Sequence, residues 1–413
     1  MSLNGTPMAE RIHIGIFGKR NAGKSSLINA ITGQDLAIVS GVSGTTTDPV
    51  YKAMELLPLG PVVLIDTPGI DDEGELGALR VKKSYQVLNK TDLAILVCSA
   101  KEGIADEDIR LIERIQNKQI PWILVMNKTD LIKEEDKKLP SEILKNFEKK
   151  EKKVSVFWVS AREGEQIYDL KEQIARKAQK EKTEKPLVSD LLNPGDCVVL
   201  VVPIDKAAPK GRLILPQQQT IRDALEAGAA VMVTRDCELQ ETLAALKKPP
   251  KIVITDSQVF GKVAELVPKD VLLTSFSILF ARYKGELQTQ VSGAKALEQI
   301  QDGDHILICE GCTHHRQCGD IGTVKLPAWI RNTTKSEPVF QFSSGGSFPD
   351  DLTSYKLIVH CGGCMLNEKE MKYRIACAKD AGIPITNYGV AIAYMHGILK
   401  RSVEAFPEIY QML

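Results

Sequence analysis

The chain has 413 residues with 53 Lys and Arg against 53 Asp and Glu, so its formal net charge is zero, and 43% of its residues are hydrophobic. These values exclude a mostly disordered chain, and no apolar run reaches the roughly 20 residues of a membrane helix. The balanced charge argues against nucleic acid as a partner. The N-terminal residues lack the pattern of a secretory signal, so we expect a cytoplasmic protein.

Strand and helix patterns alternate along the chain and predict an α/β protein of three domains. Residues 1–185 have short apolar strands separated by helices, which predicts a mostly parallel sheet, and a polar run ended by Pro186 marks their boundary. Residues 186–265 form a smaller α/β domain, which we assign to dimerisation although a structural insert fits equally well. Residues 266–413 form an α/β domain with most of the cysteines. The strands predicted in the first domain are 12–17, 62–65, 94–98, 123–126 and 154–159.

Residues 18–25 match the phosphate-binding loop G-x-x-x-x-G-K-[ST], and they follow a predicted strand and begin a predicted helix. Glycines let backbone N–H groups turn toward phosphate oxygens, and the helix N-terminus adds favourable partial charge. Lys24 would neutralise the β- and γ-phosphates, and Ser25 would bind Mg²⁺. The loop therefore predicts nucleotide contacts from Gly18, Asn21, Ala22, Gly23, Lys24, Ser25 and Ser26.

A second motif, Asp66-Thr67-Pro68-Gly69, follows the next predicted strand. Its carboxylate can hold Mg²⁺ through water, and its glycine N–H can reach the γ-phosphate. Thr46 lies in a Gly/Ser/Thr segment between the two motifs that is suited to a mobile switch, and we expect it to contribute to the Mg²⁺ site. The predicted catalytic residues are Lys24, Ser25, Thr46, Asp66 and Gly69.

Two further motifs identify the base as guanine. Asn127-Lys128-Thr129-Asp130 follows a predicted strand, and the carboxylate of Asp130 can accept hydrogen bonds from both N1–H and the 2-amino group of guanine. Adenine has no such pair of donors, so this residue selects GTP. Ser160-Ala161 follows the last predicted strand of the domain and suits a backbone contact to guanine O6.

These four motifs resemble those of the translation-factor-related GTPases. Within this class, they resemble the branch that acts in tRNA modification and ribosome assembly. The resemblance implies that Asn21 stands where some of these enzymes use an asparagine to help bind K⁺, and the alternative is a polar loop residue without an ion. Ile70 stands where Ras-type GTPases have a glutamine, and an Ile side chain cannot orient water by hydrogen bonding. We therefore expect slow intrinsic GTP hydrolysis that is stimulated by K⁺, with a partner or a conformational change as alternatives.

Five of the nine cysteines fall between positions 309 and 364. Cys312 and His314, with His360, Cys361 and Cys364, form a C-x-H…H-C-x-x-C pattern. Thiolate-rich sites select Zn²⁺ or iron–sulfur clusters, and the spacing alone does not distinguish between these two ligands.

The remaining cysteines have weaker patterns. Cys309 lies in a predicted strand, where we expect it in the core, and the role of Cys318 stays open, as do those of His315 and Asp320 beside it. Apolar strands or helices surround four others, so we expect packing roles for Cys98, Cys197, Cys237 and Cys377.

The GTPase motifs, the middle domain and the Cys/His pattern together resemble the [FeFe]-hydrogenase maturation GTPases over the whole chain. The resemblance implies a [4Fe–4S] cluster held by Cys312, Cys361 and Cys364, with His314 and His360 as candidate further ligands. Three thiolates would leave one iron with an exchangeable ligand, and the fourth ligand stays open. The resemblance also implies a scaffold or carrier that delivers a diiron subcluster to [FeFe]-hydrogenase, with radical maturases as partners.

Two other functions stay open from the sequence. One is a tRNA-modification or ribosome-assembly GTPase with a structural zinc site in its C-terminal domain. The other is an adaptor that senses the nucleotide without hydrolysing it. A homodimer through the middle domain is also expected.

Overall fold

The computed structural model of the protein describes residues 6–33, 48–71, 74–137, 155–179, 185–204, 213–311 and 320–413. The chain divides into two compact units, Met1–Thr183 and Glu184–Leu413. The described residues form one β-sheet in the first unit and two in the second. The predicted α/β class, with an N-terminal parallel-sheet domain, is confirmed.

The sheet of the first unit has six strands in the order β2-β3-β1-β4-β5-β6. Only β2 runs antiparallel to its neighbour. Every residue of β1, β4 and β5 is buried, as expected for parallel strands covered on both faces. The elements are β1 Ile12–Phe17, α1 Lys24–Thr32, β2 Val50–Leu56, β3 Gly60–Asp66, α2 Gly74–Leu88, β4 Leu93–Ser99, α3 Asp106–Asn117, β5 Trp122–Asn127, β6 Val156–Val159 and α4 Ile167–Gln179.

The second sheet has four parallel strands in the order β10-β9-β7-β8. Its strand β10 comes after residue 265, so this part of the predicted third domain contributes to the middle sheet. The elements are β7 Cys197–Val201, α5 Leu215–Glu226, β8 Ala230–Thr234, α6 Leu239–Ala245, β9 Ile252–Thr255, α7 Phe260–Leu266, β10 Leu272–Ser275 and α8 Phe276–Lys284.

The third sheet also has four parallel strands, in the order β12-β11-β13-β14. It places the ends of β11 and β13 side by side, because Cys309 is in register with His360. The elements are α9 Leu287–Ala294, β11 His305–Glu310, α10 Leu326–Thr334, β12 Val339–Ser344, β13 Leu357–His360, α11 Glu368–Asp380, β14 Ile385–Asn387, α12 Tyr388–Met395, α13 Leu399–Ser402 and α14 Pro407–Tyr410.

One apolar core joins the middle sheet to the helices of the C-terminal segment. Phe260 and Phe280 are buried in it together with Val390 and Phe406, which come from the other end of this unit. Burial of apolar surface contributes about 25 cal/mol per Å², so this shared core stabilises the middle sheet together with the helices of the C-terminal segment.

Candidate functional site

The phosphate-binding loop lies between β1 and α1, where the sequence predicts it. Gly18 and Gly23 have φ of 145° and 91°, which side chains rarely adopt. A Cβ at Gly18 would overlap the carbonyl oxygen of Val97, so a side chain has no space there. The buried Lys24 Nζ donates to the carbonyl oxygens of Gly18 at 2.9 Å and Lys19 at 2.7 Å, which places its charge at the loop.

Ser25 and Asp66 meet beside this loop. Ser25 Oγ donates to Asp66 Oδ2 at 2.9 Å, which joins the start of α1 to the end of β3. Burial raises the pKa of Asp66, and the Ser25 hydrogen bond and the charge of Lys24 oppose that rise. A hydroxyl and a carboxylate at one point are the oxygen ligands that Mg²⁺ takes from such a site. Thr46, the third predicted contributor, lies outside the described residues.

The guanine-recognition residues lie together and contact the phosphate loop. Asn127 Nδ2 donates to the carbonyl oxygen of Ala22 at 3.1 Å, and Asn127 Oδ1 accepts from the N–H of Ala161 at 3.0 Å. Ser160 Oγ donates to Asp130 Oδ1 at 2.7 Å and so orients that carboxylate. The structure therefore brings together three motifs, of which the phosphate loop is more than 100 residues from the other two in sequence.

The remaining nucleotide candidates have simpler surroundings. Asn21 is exposed and has a left-handed backbone with φ of 58°, and Lys128 is left-handed with φ of 67°. Ser26 is half-buried in the first turn of α1. Ile70 is 4% exposed and packs into the apolar core behind β3.

The thiol site lies where β11 and β13 end. Cys361 follows β13, and its Sγ accepts hydrogen bonds from the N–H of Gly311 at 3.0 Å and of Gly363 at 3.4 Å. Gly363 has φ of 65°, and a Cβ there would lie 2.6 Å from Met371 Sδ, so the turn requires glycine. Two backbone donors thus point at one sulfur.

Burial controls the acidity of both thiols at this turn. It raises the pKa of Cys361 to about 11, and it raises the pKa of Cys364 against the opposing charge of Lys284. Lys284 Nζ donates to the carbonyl oxygen of Cys364 at 3.2 Å and of Leu366 at 3.0 Å, which holds the turn.

His360 is fully buried next to this turn, and both of its ring nitrogens have partners. Nδ1 donates to the carbonyl oxygen of Cys361 at 2.8 Å, and Nε2 accepts from Arg374 Nη1 at 3.0 Å. Burial and the neighbouring guanidinium lower the pKa of His360 to about 3, so the ring is neutral. As a metal ligand, His360 would have to give up one of these hydrogen bonds.

Arg374 was not found by sequence reasoning, although it organises this region. It is fully buried and makes an ion pair with Glu370 at 2.9 Å, and its Nη2 donates to the carbonyl oxygen of Gly345 at 2.7 Å. Glu370 and Arg374 are four residues apart on α11, so they lie on one helix face. This spacing is the sequence pattern that could have indicated their ion pair.

Tyr388 is a second residue that the sequence did not indicate. It is 8% exposed, and among the described residues its hydroxyl has no hydrogen-bond partner. A Cβ at Gly322 would touch both this hydroxyl and Glu310 Oε1, so the two oxygens face the same point. Burial raises the pKa of Tyr388, and Cys361 and Glu310 raise it further. A buried phenol therefore faces an acidic and thiol-containing region.

The outcomes for the other cysteines differ. Cys309 is buried in the core, as expected. The packing role expected for Cys237 is wrong, because this residue is exposed in the turn before α6. Four further candidates lie outside the described residues: Cys312, His314, His315 and Cys318. Among the residues that the structure does describe, no group of three His, Cys, Asp or Glu side chains is arranged to hold a metal ion.

The N-terminal part of the chain is similar to bacterial GTPases. A model of the 50S ribosome-binding GTPase domain matches residues 13–128. GTPase Der of Wolinella succinogenes is 36% identical over 168 residues, which cover 40% of this chain and 35% of that protein. The tRNA modification GTPase MnmE of Clostridioides difficile is 33% identical over 172 residues, which cover 41% of this chain and 35% of that protein. The chain thus spans about a third of the length of these relatives.

Among solved structures, Era of Aquifex aeolicus superposes with a TM-score of 0.36 and 20% sequence identity, over 54% of this chain and 92% of that chain. The motifs, their geometry and the matched domain define this protein as a P-loop GTPase. Models of the hydrogen maturase F dimerization and tetramerization domains match residues 187–285 and 288–405, together more than half of the chain. The chain belongs to the hydrogen maturase F (HydF) family.

No helix in the described parts of the chain has both the length and the apolar character that a membrane span requires.

Proposed function

We propose that this GTPase of hydrogenase maturation is also a scaffold and carrier. It would bind a [4Fe–4S] cluster and assist assembly and delivery of the diiron subcluster to [FeFe]-hydrogenase, with radical maturases as partners. The observation that carries the proposal is the turn after β13, where Cys364 lies near enough to Cys361 to raise its pKa and two backbone N–H groups point at Cys361 Sγ. Free thiols at such a site suit the reducing cytoplasm.

The residues of this turn fit an iron–sulfur cluster. Thiolates are the ligands of such clusters, and hydrogen bonds to sulfur tune their potential. The N–H donors at Cys361 and the ammonium of Lys284 near Cys364 favour the thiolate form and so oppose the larger effect of burial, which raises both pKa values. Cys312 would supply the third thiolate. A cluster with three thiolate ligands would offer one iron to an exchangeable ligand of the cargo.

In the nucleotide site, each residue has a role that follows from its contacts. GTP and Mg²⁺ are the expected ligands. Lys24 would transfer its hydrogen bonds from the loop carbonyls to phosphate oxygens, and Ser25 would turn its hydroxyl from Asp66 to the metal. Because Ile70 is packed in the core, it cannot orient the attacking water. We therefore expect hydrolysis to be slow and stimulated by K⁺ near Asn21.

The family models support an oligomer, and we propose that the dimer forms at β8. This strand lies at an edge of the second sheet, and most of its residues are exposed. Met232 is 38% exposed there, and Val233 is 44% exposed. An exposed apolar edge strand can pair with another chain through its free N–H and C=O groups. Met232→Lys should therefore remove this interface and lower the oligomeric state in sedimentation analysis. Met412→Lys, at a methionine that is 37% exposed, should leave the oligomer unchanged.

Anaerobic reconstitution of the full chain with iron and sulfide tests the cluster. We expect about four iron and four sulfide per chain, read by chemical analysis, visible absorption and EPR. Cys361→Ser and Cys364→Ser should lose most of the iron, whereas Cys237→Ser, at the exposed turn, should keep it. Stoichiometric zinc without a cluster would instead support a structural zinc domain. The alternative of an RNA-directed GTPase has support only from the relatives of the N-terminal part.

A further inference from the structure

Asp71 makes a contact that the GTPase motifs do not account for. It follows Gly69 and Ile70, and its Oδ1 accepts a hydrogen bond from the backbone N–H of Arg20 at 2.7 Å. Arg20 is part of the phosphate-binding loop, whose N–H groups are the donors for phosphate oxygens. We infer that Asp71 sets the preference of this protein between GDP and GTP, because its carboxylate competes with the γ-phosphate at the loop.

The position of the carboxylate follows from Gly69. A Cβ at Gly69 would lie 2.9 Å from Asp71 Oδ1 and 3.1 Å from the backbone N of Arg20, so these groups converge on one point. Gly69 is the residue whose N–H meets the γ-phosphate in such sites. The carboxylate therefore lies at the γ-phosphate end of the loop.

The packing of Ile70 fixes this arrangement. Its side chain is 4% exposed and lies in the core behind β3, so the backbone between Gly69 and Asp71 is anchored. The anchored backbone places Asp71 close to the loop, where its carboxylate accepts the N–H of Arg20 in an exposed hydrogen bond.

Charge decides how the contact responds to each nucleotide. A carboxylate and a γ-phosphate are both anionic and repel each other at short distance. GDP lacks the γ-phosphate, so Asp71 can keep its hydrogen bond when GDP is bound. GTP must displace the carboxylate, so part of its binding free energy is lost and the segment after β3 is released. A ligand shifts such an equilibrium by its differential affinity for the two states.

This inference rests on nucleotide binding at the loop and not on the iron–sulfur site. The test measures the affinity of the full chain for GDP and for a non-hydrolysable GTP analogue, with Mg²⁺ present. Wild type should bind both, and failure to bind either would contradict the nucleotide site itself rather than the role of Asp71. The measured quantity is the ratio of the two dissociation constants.

Removal of the contact should favour the GTP analogue. Asp71→Ala should shift the ratio toward the analogue by about tenfold, because a hydrogen bond to a charged group is lost only from the GDP form. Asp71→Asn is nearly isosteric and keeps an acceptor without the charge, so it should give a smaller shift in the same direction.

A nearby acidic residue provides the matched control. Glu107 Oε2 lies 3.9 Å from Lys19 Nζ, also at the loop, but it does not accept the N–H of Arg20. Glu107→Gln should change the ratio by less than about twofold, since only a screened surface charge is lost. An equal shift in Glu107→Gln, an unchanged ratio in both Asp71 variants, or a shift toward GDP would overturn the inference.

Discussion

The nucleotide site and the thiol site obtain their geometry in different ways. In the nucleotide site, the contacts run among short motifs that each follow a strand, such as Asn127 with Ala22 and Ala161. In the thiol site, the turn with Cys361 depends on residues from other elements, among them Arg374 on α11 and Lys284 on α8. The comparison shows that sequence motifs identify ligand-binding residues more readily than the residues that hold them in place.

The largest expected effect is on GTP turnover, and it tests whether the nucleotide site and the thiol site act independently. Lys24→Ala should lower GTP turnover by about a thousandfold, because it removes the positive charge that stabilises the transferred phosphoryl group. Iron uptake in reconstitution should stay at the wild-type level. Phosphate release and iron analysis on the same preparation measure both quantities, and Lys101→Ala, on an exposed turn, is the control. Loss of iron along with turnover would show that the thiol site depends on the nucleotide site.

The next effect tests the support of the thiol site. Arg374→Met should lower the free energy of unfolding by about 3–5 kcal/mol, because it leaves a buried carboxylate and His360 without their partner. Arg222 and Glu226 form the matched control, since they are also four residues apart on a helix but are exposed. Urea denaturation of the full chain should detect little change in Arg222→Met. Equal effects of the two substitutions would mean that burial of the Arg374 pair does not stabilise this unit.

The sequence predicted the fold best where strands are buried on both faces. The strand predicted at 12–17 is β1 itself, because a buried parallel strand is a continuous apolar run. The edge strands β2 and β12 were missed, since most of their residues are exposed or half-buried and no such run marks them. The strand β14 has only three residues, too few for a pattern to appear.

The prediction of site residues likewise succeeded where a local sequence pattern marks the residue. Asp66 and Asn127 were predicted because each stands at the end of a strand, in a motif with a fixed role. Arg374 and Tyr388 lie on helices, and apart from the Glu370–Arg374 spacing their importance comes from neighbours on other elements, such as His360 and Glu310. Neither spacing nor composition records such contacts, so the supporting residues appear only in the folded chain.

A smaller effect concerns the cation at the phosphate loop. If Asn21 helps to bind K⁺, replacement of Na⁺ by K⁺ at constant ionic strength should raise GTP turnover by about tenfold in wild type. Asn21→Ala should remove this difference while turnover in Na⁺ stays near the wild-type value. A K⁺ response that survives in Asn21→Ala would assign the stimulation to other groups.

The smallest expected effect is that of a substitution at Tyr388. Among the described residues its buried hydroxyl has no hydrogen-bond partner, whereas Ser25, Asn127 and Ser160 in the nucleotide site are hydrogen-bonded. In protein prepared without iron, Tyr388→Phe should raise the free energy of unfolding by about 1 kcal/mol, because a buried hydroxyl without a partner among the described residues carries a desolvation penalty. Tyr394 is on the same helix, but its hydroxyl donates to Glu298, so Tyr394→Phe should not stabilise the chain. After reconstitution, the gain at Tyr388→Phe should disappear and the EPR signal should shift, because the hydroxyl then has an acceptor on the thiol side. The same stabilisation with and without iron, together with an unchanged EPR signal, would mean that the phenol is a packing residue and that the thiol site is supported by Arg374 and Lys284 alone.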